Sequence, residues 1–274
     1  MTSVGAMVRR EVAPEDEVAH ARMLAERFDE IWIVEDLPFA GGISQMAAVL
    51  AGTDDVIVGH GIAPAPFRNP AALAMEWATL ARMHPGRVRC GLGHGVQSWM
   101  RDIGERVASP LTLIEETHGI VHELLHGGTP EVDGRYRRMS GWALEFPPAV
   151  APPVSLGVLG PKSLELSGRI ADGTILPEGQ DPSAVRRSIE HIDTGRAAAG
   201  RTTPHHVTVF VSFFCGDPAD APTPPPETPQ GGELIGSADE IHAGVAALGS
   251  AGADSVVLVP LGPDPATQIQ ALHP

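Results

Sequence analysis

The stretch VSLGVLGPKSLELSGRIADGTILPE, residues 154–178, decides the fold that we predict for this chain of 274 residues. It opens on an apolar run over Val154–Val158 and closes on a second one over Thr174–Leu176. A glycine turn and a helical pattern over Ser163–Ile170 lie between the two runs. Strand, turn, helix and strand in this order predict one parallel βαβ unit.

The first turn of that unit, Leu159-Gly160-Pro161-Lys162, is typical of an anion site. At a helix N-terminus the unpaired N–H groups and the dipole both favour negative charge, and Lys162 adds a positive charge. A phosphate group would fit there. Gly-Pro also occurs in such turns for geometry alone, so a purely structural role is the alternative.

The alternation of strand and helix continues along the whole chain. Strand-length apolar runs occur over Val4–Val8, Glu30–Glu35, Val56–Ile62, Val88–Gly93, Val154–Val158, Thr174–Leu176, Val207–Phe214 and Ser255–Leu261. Helical patterns occur over Pro14–Phe28, Ile43–Ala51, Ala71–Met83, Leu111–Leu125, Ser163–Ile170, Ser183–Ala199 and Ala238–Leu248. Eight strands alternating with helices predict an α/β fold, a (β/α)8 TIM barrel with a single domain over residues 1–274. An open doubly wound sheet is the alternative.

Two segments interrupt this rhythm. Gly127–Pro153 is long and polar, with Asp133-Gly134 as a hairpin turn, and we expect it to be an insertion after the fourth strand. Gly216–Gly232 is rich in proline and takes the place of the helix expected after the seventh strand. We interpret it as a mobile loop or lid, with a plain surface linker as the alternative.

Charge and composition exclude several classes of protein. A net charge of −15 argues against nucleic acid and anionic membrane surfaces as partners, and no apolar window is long enough for a membrane span. Cys90 and Cys215 each lie in an apolar run, which indicates neither disulfides nor a metal site. Arg9-Arg10-Glu11 interrupts any signal peptide. We therefore expect a soluble cytoplasmic protein that acts on a small molecule.

Three of the predicted strands end in glycine-rich turns. These are Gly59-His60-Gly61-Ile62, Gly91-Leu92-Gly93-His94-Gly95 and the segment from Gly157 to Lys162. Active sites of such barrels lie at these strand ends, and glycine lets the backbone approach a flat ligand closely. Three such turns around one rim predict a planar cofactor with a phosphate tail, although tight βα turns alone would also explain them.

The second strand ends in the acidic pair Glu35-Asp36. Adjacent residues of a strand point to opposite faces, so we expect only one of them to face the barrel mouth as a general acid or base. Alternatively, one caps the following helix or pairs with Arg68. His60 and His94 are further candidates to donate a proton or hold a carbonyl, unless each bonds only a backbone carbonyl.

No metal site is predicted. His118, His122 and His126 have the spacing of zinc ligands on a helix, but their acidic neighbours favour a solvated helix face. The sequence contains no Walker A loop, GxSxG or HExxH motif, and the glycine turn at Gly91–Gly95 lacks the last glycine of GxGxxG. Lys162 is the only lysine and lies in a turn, which makes a Schiff-base lyase a weak alternative.

Four pieces of the chain together resemble the bacterial luciferase-like monooxygenase family, including its branch that uses the deazaflavin coenzyme F420. They are Phe28–Asp36, Val58–Ile62 with Arg68–Ala74, Pro85–Gly93, and Leu159–Lys162 with Ala171–Leu176. Ile235–Glu240 is similar to the start of the family's last helix. The resemblance implies a barrel with a long insertion after the fourth strand and a cis peptide bond at Gly61–Ile62, behind the cofactor ring.

The resemblance also implies roles for particular residues. The expected cofactor-binding residues are Gly59, Gly61, Ile62, Gly93, His94, Gly157, Gly160, Pro161, Lys162 and Glu178. The catalytic candidates on the substrate side are Glu35, Asp36 and His60, with Glu178 as a weaker one. Gly160-Pro161-Lys162 together with Trp99 favours coenzyme F420 over FMN.

The choice of cofactor sets the expected chemistry. With F420 we expect hydride transfer to or from a small organic substrate. With FMN, the alternative, we expect oxygen insertion and a partner flavin reductase. A non-catalytic flavin-binding protein on the same barrel is the other alternative, since the chain is short for the family. The family also suggests a homodimer, formed through Ile43–Ala51 and Ala71–Met83.

Overall fold

The computed structural model describes residues 2–224, 228–262 and 264–272, and these residues form a closed barrel of parallel strands. The barrel strands are β1 (Ser3–Val8), β2 (Glu30–Ile33), β3 (Ile57–His60), β5 (Val88–Gly93), β8 (Val154–Gly157), β9 (Gly173–Leu176), β10 (His206–Cys215) and β12 (Ser255–Pro260). The short strands are β4 (Ala63–Pro64), β6 (Glu131–Asp133), β7 (Arg138–Ser140) and β11 (Leu234–Gly236). Each barrel strand pairs with the next, and β12 pairs with β1. The TIM-barrel prediction is therefore confirmed, and the open-sheet alternative is wrong.

The seven predicted helices are all present around the barrel. They are α1 (Glu17–Ala25), α2 (Gly42–Gly52), α3 (Pro70–Met83), α5 (Pro110–Leu125), α6 (Pro161–Ile170), α7 (Pro182–Ala198) and α8 (Ala238–Ser250). Two further helices, α4 (Gln97–Asp102) and α9 (Pro265–Leu272), were not predicted. Side-chain caps define several starts; Ser237 and Glu240, for example, form a capping box at α8.

The polar segment after β5 contains a hairpin of β6 and β7. The loop of this hairpin spans residues 134–137, since Asp133 pairs with Arg138, and it is longer than the predicted Asp133-Gly134 turn. The N–H of Gly134 donates to the carbonyl of Arg137 across this loop (2.9 Å). The carboxylate of Glu116 on α5 accepts three backbone N–H groups of that loop, at 2.7, 2.8 and 2.9 Å. This carboxylate holds the wider loop in place of a two-residue turn.

The proline-rich segment does not replace a helix, so that prediction is wrong. Helix α8 follows barrel strand β10 and leads into β12, and the segment is additional chain before it. The described part includes a short 3-10 helix over Pro218–Asp220 and the strand β11, which extends the sheet beside β10. Residues 225–227 lie outside the described residues, and with them part of the predicted lid.

Apolar side chains fill the inside of the barrel. Trp32 and Phe210 meet there edge to face, with ring centroids 5.3 Å apart, and Met7, Ile175, Val257 and Val259 pack beside them. Gly59 lies directly against the indole of Trp32: a Cβ atom added there would be 2.5 Å from Trp32 Cδ2. Glycine at this position is therefore a packing requirement of the barrel interior.

The histidines on α5 do not share one environment. His118 is buried, which corrects the predicted solvated face, because its side of α5 packs against the barrel near Asp172. Burial, with the nearby His122, lowers the pKa of His118 to about 4. The rings of His122 and His126 stack at 4.1 Å. In the described part of the chain, no three metal-binding side chains come together, and no helix is suited to crossing a bilayer.

The contact between Gly59 and Trp32 gives a first prediction. Gly59→Ala should lower the free energy of unfolding by about 1–3 kcal/mol, because the methyl group overpacks the barrel interior. Gly119→Ala is the matched control, because Gly119 is an exposed helical residue with open space around it. This substitution should raise the free energy of unfolding by about 0.4–1 kcal/mol. Urea denaturation measures both. Equal effects of the two substitutions would contradict the described packing.

The buried His118 gives a second prediction, on acid stability. Its folded pKa of about 4 lies below the ordinary 6.5, so the unfolded chain binds a proton first and stability falls from pH 6.5 to 4. His118→Leu should remove about 1.4 kcal/mol per pH unit from that slope. Denaturation at a series of pH values measures the slope. Parallel curves for the parent chain and His118→Leu would show that His118 is not buried as neutral imidazole.

Candidate active site

A cavity of about 420 Å³ opens at the C-terminal ends of the barrel strands. This volume lies within the ~300–1,000 Å³ range of small-molecule sites. One wall comes from the ends of β3, β5 and β8 and includes Gly61, Ile62, Pro64, His94, Gly95, Trp99, Gly157 and Leu159. The second wall comes from the ends of the other strands and includes Arg9, Arg10, Glu11, Glu35, Asp36, Glu178, Phe210, Ser212 and Leu261.

Ile62 shapes the first wall. The Gly61–Ile62 peptide bond is cis, as the sequence resemblance implies. The side chain of Ile62 lies over Gly93 and Gly157, which are paired across β5 and β8. A Cβ atom at either glycine would come within 2.7 or 2.6 Å of Ile62, respectively. The glycines at these two strand ends are therefore required by Ile62, and together they make a smooth apolar wall.

Glu35 lies on the second wall, but its carboxylate is fully engaged. Both oxygens accept hydrogen bonds from Arg68, each at 2.6 Å, and Oε1 also accepts the N–H of Gly42 at the start of α2 (3.0 Å). The two alternatives drawn from the sequence, a helix cap and an Arg68 pair, thus occur together. Burial acts to raise the pKa of Glu35, but the bonds from Arg68 and the nearby His60 outweigh it and lower the pKa.

His60 lies behind the wall and does not line the cavity. Its ring is fully buried between the barrel and helices α2 and α3, against Gly42 and edge-on to Trp77. Neither ring nitrogen has a hydrogen-bond partner among the described residues, although Nε2 lies 3.7 Å from Glu35 Oε2. Burial lowers the pKa of His60 to about 4, against the attraction of Glu35. The structure therefore brings His60 to Glu35 rather than to the cavity.

Asp36 and Glu178 both line the cavity, close to Arg10. Asp36 Oδ2 lies 3.1 Å from Arg10 Nη1, and the Arg10 guanidinium stacks over Phe39. Burial and the charge of Asp36 raise the pKa of Glu178, and Arg10 acts against them. Sequence reasoning missed Arg9 and Arg10 as site residues; their position directly after β1 was the signal that would have found them.

The N-terminus of α6 lies on the rim beside the first wall. Gly160 is its N-cap and offers no side chain, and Gly160, Pro161 and Lys162 are all exposed. Lys162 makes no ion pair or hydrogen bond within the described chain. His94 Nε2 lies 3.2 Å from Ser163 Oγ and so joins the end of β5 to α6. This rim presents backbone N–H groups and one cation, which suits a phosphate.

The predicted cofactor-binding residues therefore fall into three groups. Gly61, Ile62, His94, Gly157 and Glu178 line the cavity. Gly160, Pro161 and Lys162 lie on its rim at α6. Gly59 and Gly93 do not line it, because each lies beneath a side chain, Trp32 or Ile62.

Comparison with known proteins gives a consistent family. The model of the family described as luciferase-like monooxygenase matches residues 1–224. The 5,10-methylenetetrahydromethanopterin reductase of Methanolobus tindarius is 29% identical over 210 residues, which cover 75% of this chain and 63% of that protein. The F420-dependent glucose-6-phosphate dehydrogenase of Microbacterium testaceum is 32% identical over 162 residues, 57% of this chain and 48% of that protein. The chain thus spans less than two thirds of these curated relatives.

A solved structure shares the fold over the whole chain. It is an F420-dependent secondary alcohol dehydrogenase in complex with an F420–acetone adduct, which superposes with a TM-score of 0.85 at 19% identity. The match covers 100% of both chains.

The buried pair of Glu35 and Arg68 gives a third prediction. Arg68→Met should lower the free energy of unfolding by about 3–5 kcal/mol, because it leaves the Glu35 carboxylate buried without its cation. The double variant Glu35→Gln/Arg68→Met should be more stable than Arg68→Met alone, since the buried charge is gone. Urea denaturation of both variants measures the difference.

The control for this pair is an exposed one. Arg169 and Glu115 lie 2.6 Å apart, and both side chains are nearly half exposed. Arg169→Met should cost about 1 kcal/mol or less. If Arg68→Met costs no more than Arg169→Met, then Glu35 is not a buried carboxylate that depends on Arg68.

Proposed function

The chain belongs to the luciferase-like monooxygenase family, and from this membership we propose that it is an oxidoreductase that uses coenzyme F420. The reaction is hydride transfer to or from a small organic substrate. The names of two curated relatives support this cofactor. One is an F420-dependent glucose-6-phosphate dehydrogenase, and the other is a 5,10-methylenetetrahydromethanopterin reductase. The observation that carries the proposal is the smooth Ile62 wall next to the exposed N-terminus of α6, where Lys162 lies.

The residues at the cavity fit such a cofactor. The apolar wall of Ile62 and Gly157 would back one face of a flat ring, and no side chain at Gly93 or Gly157 obstructs it. The N-terminus of α6 with Lys162 would hold a phosphate of the tail. When bound, a deazaflavin supplies or accepts hydride. The protein's part is to hold the ring at this wall and to place the substrate against its other face.

FMN is the second candidate, because the family is named for monooxygenases. The same wall and anion site would accept its ring and phosphate. The two candidates predict different partners: an FMN enzyme of this kind needs a flavin reductase, and an F420 enzyme does not. Competition between the two cofactors therefore distinguishes them.

The arrangement of the whole protein is part of the proposal. We propose a single domain over residues 1–274 that acts in the cytoplasm, and a homodimer through α2 and α3. Helix α3 presents Met75 and Met83 to solvent, with 55% and 65% of each residue's surface exposed, which supports a partner surface there.

A fluorescence titration with coenzyme F420 tests the proposal, with FMN as competitor. The chain should bind F420, and FMN should not displace it at equal concentration. Lys162→Met should weaken F420 binding about tenfold or more, because a charged contact to the phosphate is lost. Arg169→Met removes the same charge from the far end of α6 and should leave the affinity unchanged.

The outcomes separate the candidates. Displacement of F420 by FMN would assign the chain to the oxygen-using branch. Binding of F420 with equal affinity by Lys162→Met and the parent chain would place the phosphate away from α6. Absence of binding to either cofactor would contradict the proposed function.

A further inference from the structure

We infer that Glu178 is the catalytic residue that exchanges a proton with the substrate, and that the substrate carries an oxygen or nitrogen atom which gains that proton on reduction. The inference deepens the proposed function and rests on it. It names the substrate class as carbonyl/alcohol or imine/amine couples. It also assigns the proton transfer to Glu178 and not to Glu35 or Asp36, the acidic pair that follows β2.

The first step is a comparison of the carboxyl groups that line the cavity. In the described chain there are four: Glu11, Glu35, Asp36 and Glu178. Three of them are held by an arginine, Glu11 by Arg9 at 3.0 Å, Glu35 by Arg68 at 2.6 Å and Asp36 by Arg10 at 3.1 Å. Among the described residues, Glu178 makes no ion pair, and the hydrogen bond to its carboxyl group comes from its own backbone N–H. Its carboxyl group is the one left to bond a ligand.

The second step concerns the position of Glu178. It follows β9 and lines the cavity that Ile62, Phe210 and Leu261 also line. The next residue, Gly179, has φ +84° and lies against Pro229, so that a Cβ atom there would be 2.8 Å from Pro229 Cβ. Only glycine suits this turn without strain. The turn therefore fixes the backbone that carries Glu178.

The third step is the charge around Glu178. Burial and the like charge of Asp36 raise its pKa above the ordinary value, and the hydrogen bond from its own backbone N–H and the charge of Arg10 oppose them. The remaining charged groups of the cavity, Arg9, Glu11 and Glu35, are paired as described above. A general acid works best when its pKa lies near the working pH, and an acid with a raised pKa keeps more of its proton there. His60 is behind the wall and cannot take this role.

The proton transfer itself is simple. In the direction of reduction the O–H bond of the Glu178 carboxyl breaks, and an O–H or N–H bond forms on the substrate. The substrate carbon receives the hydride that the reduced deazaflavin would supply. Glu178 is left as a carboxylate and takes a new proton from solvent. In the direction of oxidation the carboxylate removes the proton from the alcohol or amine.

Infrared difference spectroscopy on the protein without cofactor or substrate tests Glu178 directly. A protonated-carboxyl band should titrate with a midpoint above pH 4.5, the ordinary glutamate value. Burial raises the pKa of Glu17 to about 7 and also raises that of Glu76, so the Glu178 band is the component of the spectrum that is lost in Glu178→Gln. It should remain in Asp36→Asn but titrate at lower pH, because the like charge that raises the pKa is gone. If Glu178→Gln does not fold, the shift in Asp36→Asn decides the question.

Two results would overturn the inference. One is a pair of spectra in which the parent chain and Glu178→Gln have the same protonated-carboxyl bands, or in which the component lost in Glu178→Gln has its midpoint at or below pH 4.5. The other is a loss of F420 affinity of tenfold or more in Glu178→Gln, which would make Glu178 a cofactor-holding residue; we expect a change of less than about twofold.

The same titration separates this inference from the proposed function. If the parent chain binds F420 and the Glu178 band is absent, the proton-transfer role is wrong and the proposed function stands. If the parent chain does not bind F420, the proposed function is wrong and the substrate class falls with it, whatever the infrared result.

Discussion

The side chain of Ile62 lies across two barrel strands that have no side chains of their own at that level, and the cavity depends on this contact. Gly93 and Gly157 are paired partners in β5 and β8, and Ile62 fills the space that their missing side chains leave. Any larger residue at either glycine would push Ile62 into the cavity. A flat apolar surface results, at the mouth of an otherwise closely packed barrel.

The second wall is organised by charge. Glu35 is buried and bound by Arg68, which ties the end of β2 to the chain before α3, and Asp36 is paired with Arg10 at the end of β1. Because each of these carboxylates is paired with a cation, they stabilise the mouth of the barrel, and the bonds from Arg68 lower the pKa of Glu35. Glu178 lies in the same wall but has no ion pair among the described residues, and the proton transfer that we propose rests on this difference.

Much of the fold was predictable, because buried parallel strands are apolar on both faces and stand out even in a single sequence. The cis peptide bond at Gly61–Ile62 was predicted from the family resemblance alone, because no local sequence pattern indicates it. The site was harder. The sequence does not show whether a glycine such as Gly59 makes room for a ligand or for a neighbouring indole ring. Nor does it show whether the side chain of His60 points into the cavity or away from it. Which of Glu35, Asp36 and Glu178 lacks a cation depends on Arg10 and Arg68, which lie far from Glu178 in the sequence.

The most direct measurement is a crystal structure of the chain with coenzyme F420. We expect the deazaflavin ring to lie against Ile62, with a phosphate at the N-terminus of α6 near Lys162 and the open face of the ring turned towards Glu178. A ring bound away from Ile62, or a phosphate held elsewhere than at residues 160–163, would contradict the central claim that these two features form one cofactor site.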